Sequence, residues 1–283
     1  MTNLTVTIPT YHRNAILFAT VRDLLPQLTP ECRLIIIDNH SPTPVEETLR
    51  PLLESYPNAD CTIIRNPVNI GGSANVLRCF EICPTDWLWV LGDDDTVLPT
   101  AVQTILETIE SDPERIYVNF GSEIEPRTRS FETMGLEEFA RQVDHFGNAM
   151  FISASLYNCP KVRPRLNYAY HYGYSAAPHL AMLITSLGQT ERCLFSEKRI
   201  VRWEEKVEEQ QSSIVAVTIG LTTILEFPMP QRTRIDFANA MIKASFGLRA
   251  TARELYYAAL HTGHARLLEP LKDIGDIFDS HAA

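Results

Sequence analysis

Blocks of hydrophobic residues alternate with polar stretches along the first 120 residues, and the blocks have two different periods. Short continuous apolar runs are typical of buried parallel strands. Between them, apolar residues such as Leu17, Val21 and Leu24 recur every three or four positions, which indicates helices. Strands are predicted at residues 4–10, 33–39, 61–66, 87–92 and 115–120. This alternation predicts an α/β fold with a mostly parallel, twisted sheet and helices on both faces.

The pattern changes after residue 122. Residues 136–143 predict a short helix, residues 149–157 predict another strand, and a further helix is expected to begin near Pro178. From about residue 204 the chain is charged and then apolar at helical spacing. A helical C-terminal region is therefore expected to follow the α/β part.

Composition and charge exclude several classes of protein. The net charge of -10 argues against a nucleic-acid partner, because phosphate backbones are bound by basic surfaces. The six cysteines form no C-x-x-C pair, and several of them lie in apolar runs and are expected to be reduced core residues. The chain begins with a strand pattern rather than a signal peptide, and its longest apolar run, from Ser213, is too short and polar to span a bilayer. A cytoplasmic location is expected.

Polar residues concentrate where four of the predicted strands end. The groups are Pro9-Thr10-Tyr11, Asp38-Asn39, Arg65-Asn66 and Asp93-Asp94-Asp95. The carboxyl ends of parallel strands meet at one edge of a sheet, and open α/β sheets bind ligands at that edge. We therefore expect these side chains to line one site.

Two of these strand ends, and the glycine pair that follows the third, each have a functional interpretation and a plainer structural alternative. Adjacent carboxylates at Asp93, Asp94 and Asp95 repel one another, and they are suited to Mg²⁺ or Mn²⁺ carrying substrate phosphates; a solvated acidic turn is the alternative. Asp38 could accept from a ribose or a base, or form an Asx turn or helix cap. Gly71-Gly72 could let a ligand approach the backbone at a helix start, or form only a turn.

Together, four segments resemble glycosyltransferases of family 2, which have the GT-A fold. The segments are TIPTYHR, IIIDNHS, RNPVNIGGSAN and WLWVLGDDDTVLP, and they span roughly residues 4–120. The last is most similar to bacterial enzymes that build surface polysaccharides, including abequosyltransferase-like proteins. The resemblance implies a nucleotide-diphosphate sugar donor and a divalent metal, Mn²⁺ or Mg²⁺.

The resemblance also implies which residues bind the donor. Thr10 and Tyr11 would line the nucleotide pocket, and Asp38 would contact the base or ribose. The family often has an aspartate where this chain has Asn39, which leaves contacts with the base at that position open. The full set of donor residues implied is Pro9, Thr10, Tyr11, Arg13, Asp38, Asn39, Asn66, Asn69, Gly71, Gly72, Asn75 and Asp93.

The metal would be held by the acidic turn. Counted back from Pro99, the family's metal ligand falls on Asp94, and Asp93 faces the ribose or sugar. Gly92 stands where the family usually has the first aspartate of its D-x-D motif. Asp93 and Asp95 still satisfy that motif, so the choice of pair among Asp93, Asp94 and Asp95 stays open.

A catalytic base is expected at a helix start in the second half. Where the family often has Glu-Asp, this chain has Pro178-His179, so His179 is the first candidate for the base of an inverting displacement. Asp144, Glu204 and Glu205 are the others. Tyrosines around His171 could stack on a sugar, although alternation would place half of them in the core. They are Tyr168, Tyr170, Tyr172 and Tyr174.

These expectations divide the chain into three parts. Residues 1–120 would form the nucleotide-sugar-binding half of a GT-A domain, residues 121–203 its acceptor-binding half, and residues 204–283 the helical C-terminal region. The acceptor would be a glycan or lipid-linked saccharide. The C-terminal apolar run is expected to pack on the core; a second copy of the chain, or the inner face of the plasma membrane, is the alternative.

Three rival functions stay open from the sequence. Asp93–Val97 also fits the D-x-D-x-[TV] loop of haloacid-dehalogenase-like phosphatases, and residues 275–279 loosely match their final acidic motif. That loop, however, belongs on the first strand. A nucleotidyltransferase needs a glycine-rich loop after the first strand, and TIPTYHR lacks the glycines. A non-catalytic nucleotide-sugar-binding protein would account for the missing Glu-Asp.

Overall fold

The computed structural model describes residues 4–143, 146–175, 177–203 and 225–244. The strands are β1 Leu4–Thr10, β2 Cys32–Asp38, β3 Cys61–Arg65, β4 Trp87–Val90, β5 Thr96–Val97, β6 Tyr117–Phe120, β7 Phe131–Met134, β8 Ser155–Asn158, β9 Arg192–Ser196 and β10 Val201–Arg202. The helices are α1 Asn14–Leu24, α2 Val45–Glu54, α3 Gly72–Ile82, α4 Ala101–Ser111, α5 Gly135–Gln142, α6 Phe146–Met150, α7 Cys159–Val162, α8 Leu166–His171, α9 Pro178–Ser186 and α10 Gln231–Ala244.

Eight strands form one sheet in the order β3-β2-β1-β4-β8-β6-β9-β7. Strands β1 to β4 run parallel to one another, and β6 runs parallel to β9. Strand β8 lies between β4 and β6 and is antiparallel to both. Therefore β4 and β6 point the same way, and the carboxyl ends of β1 to β4 and of β6 share one edge with the start of β8. The prediction of a mostly parallel sheet is confirmed.

Helices cover both faces of this sheet, as predicted. On β2, Ile35 and Ile37 face one hydrophobic cluster, which includes residues of α3, α5 and α9. Leu34 and Ile36 face the other cluster, which includes residues of α1, α2 and α4. Because side chains alternate between faces along a strand, a strand buried on both sides is apolar throughout. This explains the continuous apolar run that marked β2 in the sequence.

The five strands predicted in the first 120 residues are confirmed to within two residues at each end. The strand predicted over residues 149–157 is wrong in its first part. Helix α6 ends at Met150, a 3₁₀ turn covers Ile152–Ala154, and strand β8 begins only at Ser155. A short apolar run does not distinguish a helix from a strand. Here the hydrogen bonds of Ser153 with Trp89, Gly92 and Asp95 hold the segment as a turn.

The tyrosine-rich segment is also helical. Helix α8 is followed by a 3₁₀ turn at Gly173–Ser175, so strand alternation does not apply to these tyrosines. Tyr170 and Tyr174 are exposed. Tyr172 is half-buried and packs edge-to-face on Phe227, with ring centroids 4.5 Å apart.

Helix α10 confirms helical structure in part of the C-terminal region. Residues 204–224 and 245–283 lie outside the described residues, and so does the apolar run from Ser213. In the part of the chain that the structure describes, no helix has both the length and the apolar character that crossing a membrane requires.

Candidate active site

The acidic turn begins at Asp93, which is fixed from two directions. The Thr10 hydroxyl, at the end of β1, donates to Asp93 Oδ2 at 2.6 Å, and the Thr20 hydroxyl of α1 donates to the Asp93 backbone oxygen at 2.8 Å. The residue is buried. Burial raises the pKa of the Asp93 carboxyl, while the Thr10 hydrogen bond and the charge of Arg13 oppose that rise. Asp93 is therefore a positioned carboxylate rather than a solvated one.

Arg13 brings Asp93 and Asp94 together. Its Nη1 atom lies 2.9 Å from Asp94 Oδ2 and 3.3 Å from Asp93 Oδ1. Arg13 directly precedes α1 and accepts a backbone hydrogen bond from Leu17. About a third of the Arg13 side chain and about a quarter of the Asp94 side chain are exposed, at 31% and 27%. Two carboxylates thus converge on one cationic nitrogen at a position that a ligand can reach.

Asp95 is engaged on the other side of the turn. The Ser153 hydroxyl donates to Asp95 Oδ2 at 2.5 Å and accepts from the Gly92 backbone N–H at 2.8 Å. Both Asp95 and Ser153 are buried. Ser153 lies in the 3₁₀ turn before β8, far along the chain from the acidic motif, so no sequence motif pointed to it.

The same contacts explain the glycine at position 92. A Cβ atom on Gly92 would lie 2.5 Å from Asp95 Oδ2 and 3.3 Å from the Ser153 hydroxyl. A side chain there would have to displace the Asp95 carboxylate. Glycine at position 92 therefore leaves room for the inward-pointing Asp95 carboxylate, which an aspartate at that position would displace.

Asp38 has partners within the protein on both oxygens. Oδ1 accepts from the Ser41 backbone N–H at 2.8 Å, and Oδ2 accepts from the Arg65 guanidinium. Arg65 also donates to the Ser41 carbonyl at 2.8 Å. The carboxylate is almost completely buried, at 1% side-chain exposure. Asp38 thus bonds to the backbone three residues on, one residue further than in the Asx turn considered as its alternative. Contact with a base or ribose stays a prediction.

Four asparagines form a connected hydrogen-bond chain behind the strand ends, which we call the asparagine chain: Asn39, Asn66, Asn69 and Asn75. Asn66 Nδ2 donates to Asn39 Oδ1 at 3.0 Å and to Asn75 Oδ1 at 2.9 Å. Asn39 Nδ2 donates to Asn69 Oδ1 at 2.8 Å, and Asn75 Nδ2 donates to the Ile37 carbonyl at 3.1 Å. The chain ties the ends of β2 and β3 to the start of α3.

This burial changes how the asparagines could serve a ligand. Asn39, Asn66 and Asn75 are at most 2% exposed, whereas Asn69 is exposed. The buried three support the loop over residues 67–72, which is itself exposed along its length. Direct contact between the asparagines and a donor stays a prediction.

The loop ends at the predicted glycine pair. Gly71 has φ +87°, a left-handed conformation that favours glycine, and α3 begins at Gly72. In the part of the chain that the structure describes, no atom lies within 4 Å of where a Cβ atom at either glycine would be. The backbone before α3 is therefore open to a ligand, next to the positive end of the helix dipole.

The remaining donor candidates occupy the end of β1. Pro9 is half-buried within the strand, and Tyr11 is 44% exposed just after it. Beside them, His12 and His40 have left-handed backbones, with φ of 56° and 66°. Histidine is one of the non-glycine residues enriched in this conformation. No motif around either histidine predicted this conformation.

His179 lies in the core rather than at the open edge. Helix α9 begins at Pro178, as predicted, but His179 is only 3% exposed and meets the Tyr157 ring edge-on at 6.3 Å. Burial lowers its pKa to about 4, and hydrogen bonds with the backbone of Ala149 and Met150 oppose the shift. Its Nε2 atom is buried without a hydrogen-bond partner among the described residues.

His179 is therefore a neutral ring at pH 7, and it would have to become accessible to act on an acceptor. Its role as base stays a prediction. The other three candidates, Asp144, Glu204 and Glu205, lie outside the described residues.

A second polar cluster lies at the same edge of the sheet, beyond β8. We call it the Arg127 network: Asn119, Glu125, Arg127 and Asn148. Arg127 Nη2 donates to Asn119 Oδ1 at 2.5 Å and to Glu125 Oε2 at 2.8 Å, and Asn148 Nδ2 donates to Asn119 Oδ1 at 2.6 Å. The guanidinium carbon lies 5.1 Å from the centre of the Phe195 ring. Sequence reasoning missed this network, because its members come from separate segments without a motif.

Asp93 and Asp94 are the side chains at this edge that fit a divalent cation. In the described residues no group of three or more His, Cys, Asp or Glu side chains is arranged to hold a metal ion. Asp93 and Asp94 offer two oxygens that already converge on one positive charge. One or two carboxylates are what Mg²⁺ sites usually take from a protein when substrate phosphates provide further ligands. The residues present fit that mode of binding.

Comparison with solved structures identifies the fold. The structure matches S. aureus TarS 1–349 with a TM-score of 0.62 at 11% identity, over 87% of this chain and 73% of that chain. It matches the mannosyltransferase PcManGT from Pyrobaculum calidifontis, in complex with GDP-Man and Mn²⁺, with a TM-score of 0.59 at 11% identity, over 94% and 80%. At this identity the likeness shows a shared fold, which is the GT-A fold.

Comparison of sequences identifies the family. An uncharacterized glycosyltransferase of Haemophilus influenzae is 29% identical over 110 residues, which are 39% of this chain and 35% of that protein. The match thus spans about a third of that relative's length. The model of glycosyl transferase family 2 matches residues 5–156, more than half of the chain. The chain belongs to glycosyltransferase family 2.

Proposed function

We propose that the protein transfers a sugar from a nucleoside diphosphate sugar to a hydroxyl group of a glycan or lipid-linked saccharide. The observation that carries this proposal is the convergence of Asp93 and Asp94 at the carboxyl edge of the sheet. In α/β sheets that edge binds ligands. Two solved neighbours support the donor class, TarS 1–349 in complex with UDP-GlcNAc and PcManGT in complex with GDP-Man and Mn²⁺.

Asp93 and Asp94 would hold Mn²⁺ or Mg²⁺ against the donor's diphosphate. When bound, such an ion stabilises the negative charge that develops on the leaving diphosphate. Thr10 keeps Asp93 oriented for this role through the hydrogen bond at 2.6 Å. Asp95 is assigned away from the cation, because its Oδ2 atom accepts from Ser153.

The exposed backbone of the loop before α3 would contact the donor, with the asparagine chain holding that loop in place. Tyr11 is exposed enough to lie against the nucleotide base. The asparagine amides would act mainly by fixing the loop, since three of the four are buried.

The reaction would be a displacement at the anomeric carbon. The bond from that carbon to the diphosphate oxygen breaks, the acceptor oxygen forms the new bond, and a base takes the hydroxyl proton. We propose inversion at this carbon, which follows from a single displacement. His179 is neutral at pH 7, and its Nε2 atom has no hydrogen-bond partner in the described part of the chain. It therefore has the right protonation state for the base once the ring is accessible.

Binding is tested by thermal shift with UDP, GDP, dTDP and CDP, each with Mn²⁺ and with Mg²⁺. A ligand at a hundred times its Kd stabilises the folded state by about 2.7 kcal/mol, which raises the melting temperature. If no nucleotide shifts the transition with either ion, the donor proposal is wrong.

Hydrolysis of the matching sugar nucleotide then tests catalysis. Asp94→Asn keeps the shape of the side chain and removes its charge, and we expect a loss of rate of about 100-fold or more, the size seen when one group that stabilises transition-state charge is removed. The matched control is Asp60→Asn, which removes a carboxylate that pairs with Arg33 at 2.8 Å. Equal rates in Asp94→Asn and the unmodified protein would contradict the metal assignment. Nucleotide binding without any hydrolysis would favour the non-catalytic binding protein.

A further inference from the structure

Arg13 occupies the point where the proposed cation would be held. Its Nη1 atom contacts Asp93 Oδ1 and Asp94 Oδ2, the two oxygens that converge at the acidic turn. The protein therefore supplies its own positive charge to this pair of carboxylates. That charge relieves the repulsion between Asp93 and Asp94.

The position of Arg13 allows the guanidinium to move. Its side chain is 31% exposed, and its backbone begins a surface helix rather than a buried strand. Arg127, by comparison, has a side-chain exposure of 5% and donates to groups on several segments. A long side chain at the surface can change rotamer without disturbing the core.

Charge determines what such a movement requires. A divalent ion bound to Asp93 and Asp94 would lie close to a guanidinium that contacts the same two oxygens. Like charges a few ångströms apart repel strongly at a partly desolvated site. The repulsion disappears if an anion with several oxygens enters at the same time, because a guanidinium pairs well with phosphate oxygens through two parallel hydrogen bonds.

We propose that Arg13 couples metal binding to donor binding. In the absence of donor, Arg13 neutralises Asp93 and Asp94 and disfavours the divalent ion. When a nucleoside diphosphate arrives, Arg13 transfers to the diphosphate and leaves the two carboxylates to the ion. This inference rests on the proposed function and adds to it a mechanism by which ion and donor load together rather than independently.

The coupling is measured as the ratio of two dissociation constants for Mn²⁺, one without and one with saturating nucleoside diphosphate. Free Mn²⁺ is counted by its electron paramagnetic resonance signal, which does not depend on catalysis. The nucleotide is whichever of UDP, GDP, dTDP or CDP gives the largest thermal shift. The variants are Arg13→Gln, which removes the charge, and Arg13→Lys, which keeps it without the planar pair of donors.

Arg13→Gln is expected to bind Mn²⁺ alone about tenfold more tightly than the unmodified protein, since the competing charge is gone. The dissociation constant for Mn²⁺ without nucleotide, divided by the constant with nucleotide, is expected to fall by about tenfold or more in this variant, because Arg13 no longer contacts the diphosphate. Arg13→Lys should lie between the two. Arg33→Gln is the matched control, since it removes an arginine from the exposed pair with Asp60, and it should leave both constants unchanged.

Two results would overturn the inference. If Arg13→Gln binds Mn²⁺ alone no more tightly than the unmodified protein, Arg13 does not compete with the ion. If the ratio is the same in both proteins, Arg13 does not couple the two ligands. In either case the proposed function stands as long as the unmodified protein binds Mn²⁺ and nucleotide together. Failure of the unmodified protein to bind them together would overturn both proposals.

Discussion

Two arginine-centred clusters lie at the same edge of one sheet, and they differ in what surrounds the guanidinium. Arg127 is closed in, with side-chain exposure of 5% and donors directed at Asn119, Glu125 and backbone carbonyls. Arg13 has side-chain exposure of 31% and contacts two carboxylates of the acidic turn. In the first arrangement both terminal nitrogens of the guanidinium donate to protein oxygens, and among the described residues only its buried Nε atom has no hydrogen-bond partner. The second leaves negative charge that a ligand can use, and this difference separates a structural cluster from a binding site.

The same contrast extends to two single titratable groups. His179 is a buried ring held neutral in the core of the second half. Asp93 is a carboxylate whose pKa is raised by burial but which lies beside the partly exposed Arg13. Their protonation affects stability in opposite directions, so the comparison can be tested by changing the pH as well as by substitution.

The largest effect is expected from opening the Arg127 network. Arg127→Gln would remove the cation that pairs with Glu125 and one of the two donors to Asn119 Oδ1. Breaking a buried ion pair costs about 3 to 5 kcal/mol of unfolding free energy. Arg13→Gln should cost less, because Arg13 and Asp94 are partly exposed and solvent screens their interaction. Urea denaturation of both variants measures the difference. Equal losses would remove the distinction between the two clusters.

A somewhat smaller effect is expected from His179 and depends on pH. The unfolded side chain takes up a proton near pH 6.5 and the folded one only near pH 4. Stability is therefore full above pH 6.5 and falls by about 3 kcal/mol as the pH falls to 4. His179→Gln should remove that part of the pH dependence, measured by urea denaturation at several pH values. His12→Gln, which changes an exposed histidine, should retain it.

Asp93 gives the opposite sign. Because its folded pKa is raised above 3.8, it lowers stability as the pH rises past that ordinary value. If the free energy of unfolding of His179→Gln still rises steeply between pH 4 and 6.5, groups other than His179 cause the pH dependence of stability in this range.

The smallest effect is expected at the glycine of the acidic turn. Gly92→Ala would place a Cβ atom 2.5 Å from Asp95 Oδ2 and force the carboxylate away from Ser153. We expect a loss of about 1 to 3 kcal/mol, the usual cost of adding a methyl group to a packed site. Gly72→Ala is the control, because its Cβ atom would meet nothing within 4 Å. Gly72→Ala should be neutral or stabilising. Thermal denaturation measures both variants, and equal melting temperatures would show that Asp95 is not held in place.

The first half of the fold could be predicted from the sequence because its signals are local. Apolar runs bounded by polar strand ends indicated β1 to β4, and Gly71 marked the start of α3. Around Ser153 the local signal failed. That residue bonds Gly92 and Asp95, and its carbonyl accepts from the Trp89 indole at 2.8 Å. These partners are about sixty positions away, so a run that reads as a strand is held as a turn by contacts that periodicity cannot show.

The candidate site was predictable in its members more than in their roles. The sequence predicted that Asp38, Asn39, Asn66 and the acidic turn lie at one edge of the sheet, and the structure places them there. It could not show that Arg65 and Ser41 satisfy Asp38 or that the asparagines bond one another. Hydrogen-bond partners depend on side-chain direction, which residue types and spacing leave undetermined.

The asparagine chain has one further consequence. Its four side chains are amides, and an amide neither gains nor loses a proton over the pH range in which carboxylates and imidazoles titrate. The frame that sets the spacing between β2, β3 and α3 is thus insensitive to acidity, whereas the charged groups beside it are not. Acidification should protonate Asp93 while the loop over residues 67–72 keeps its shape.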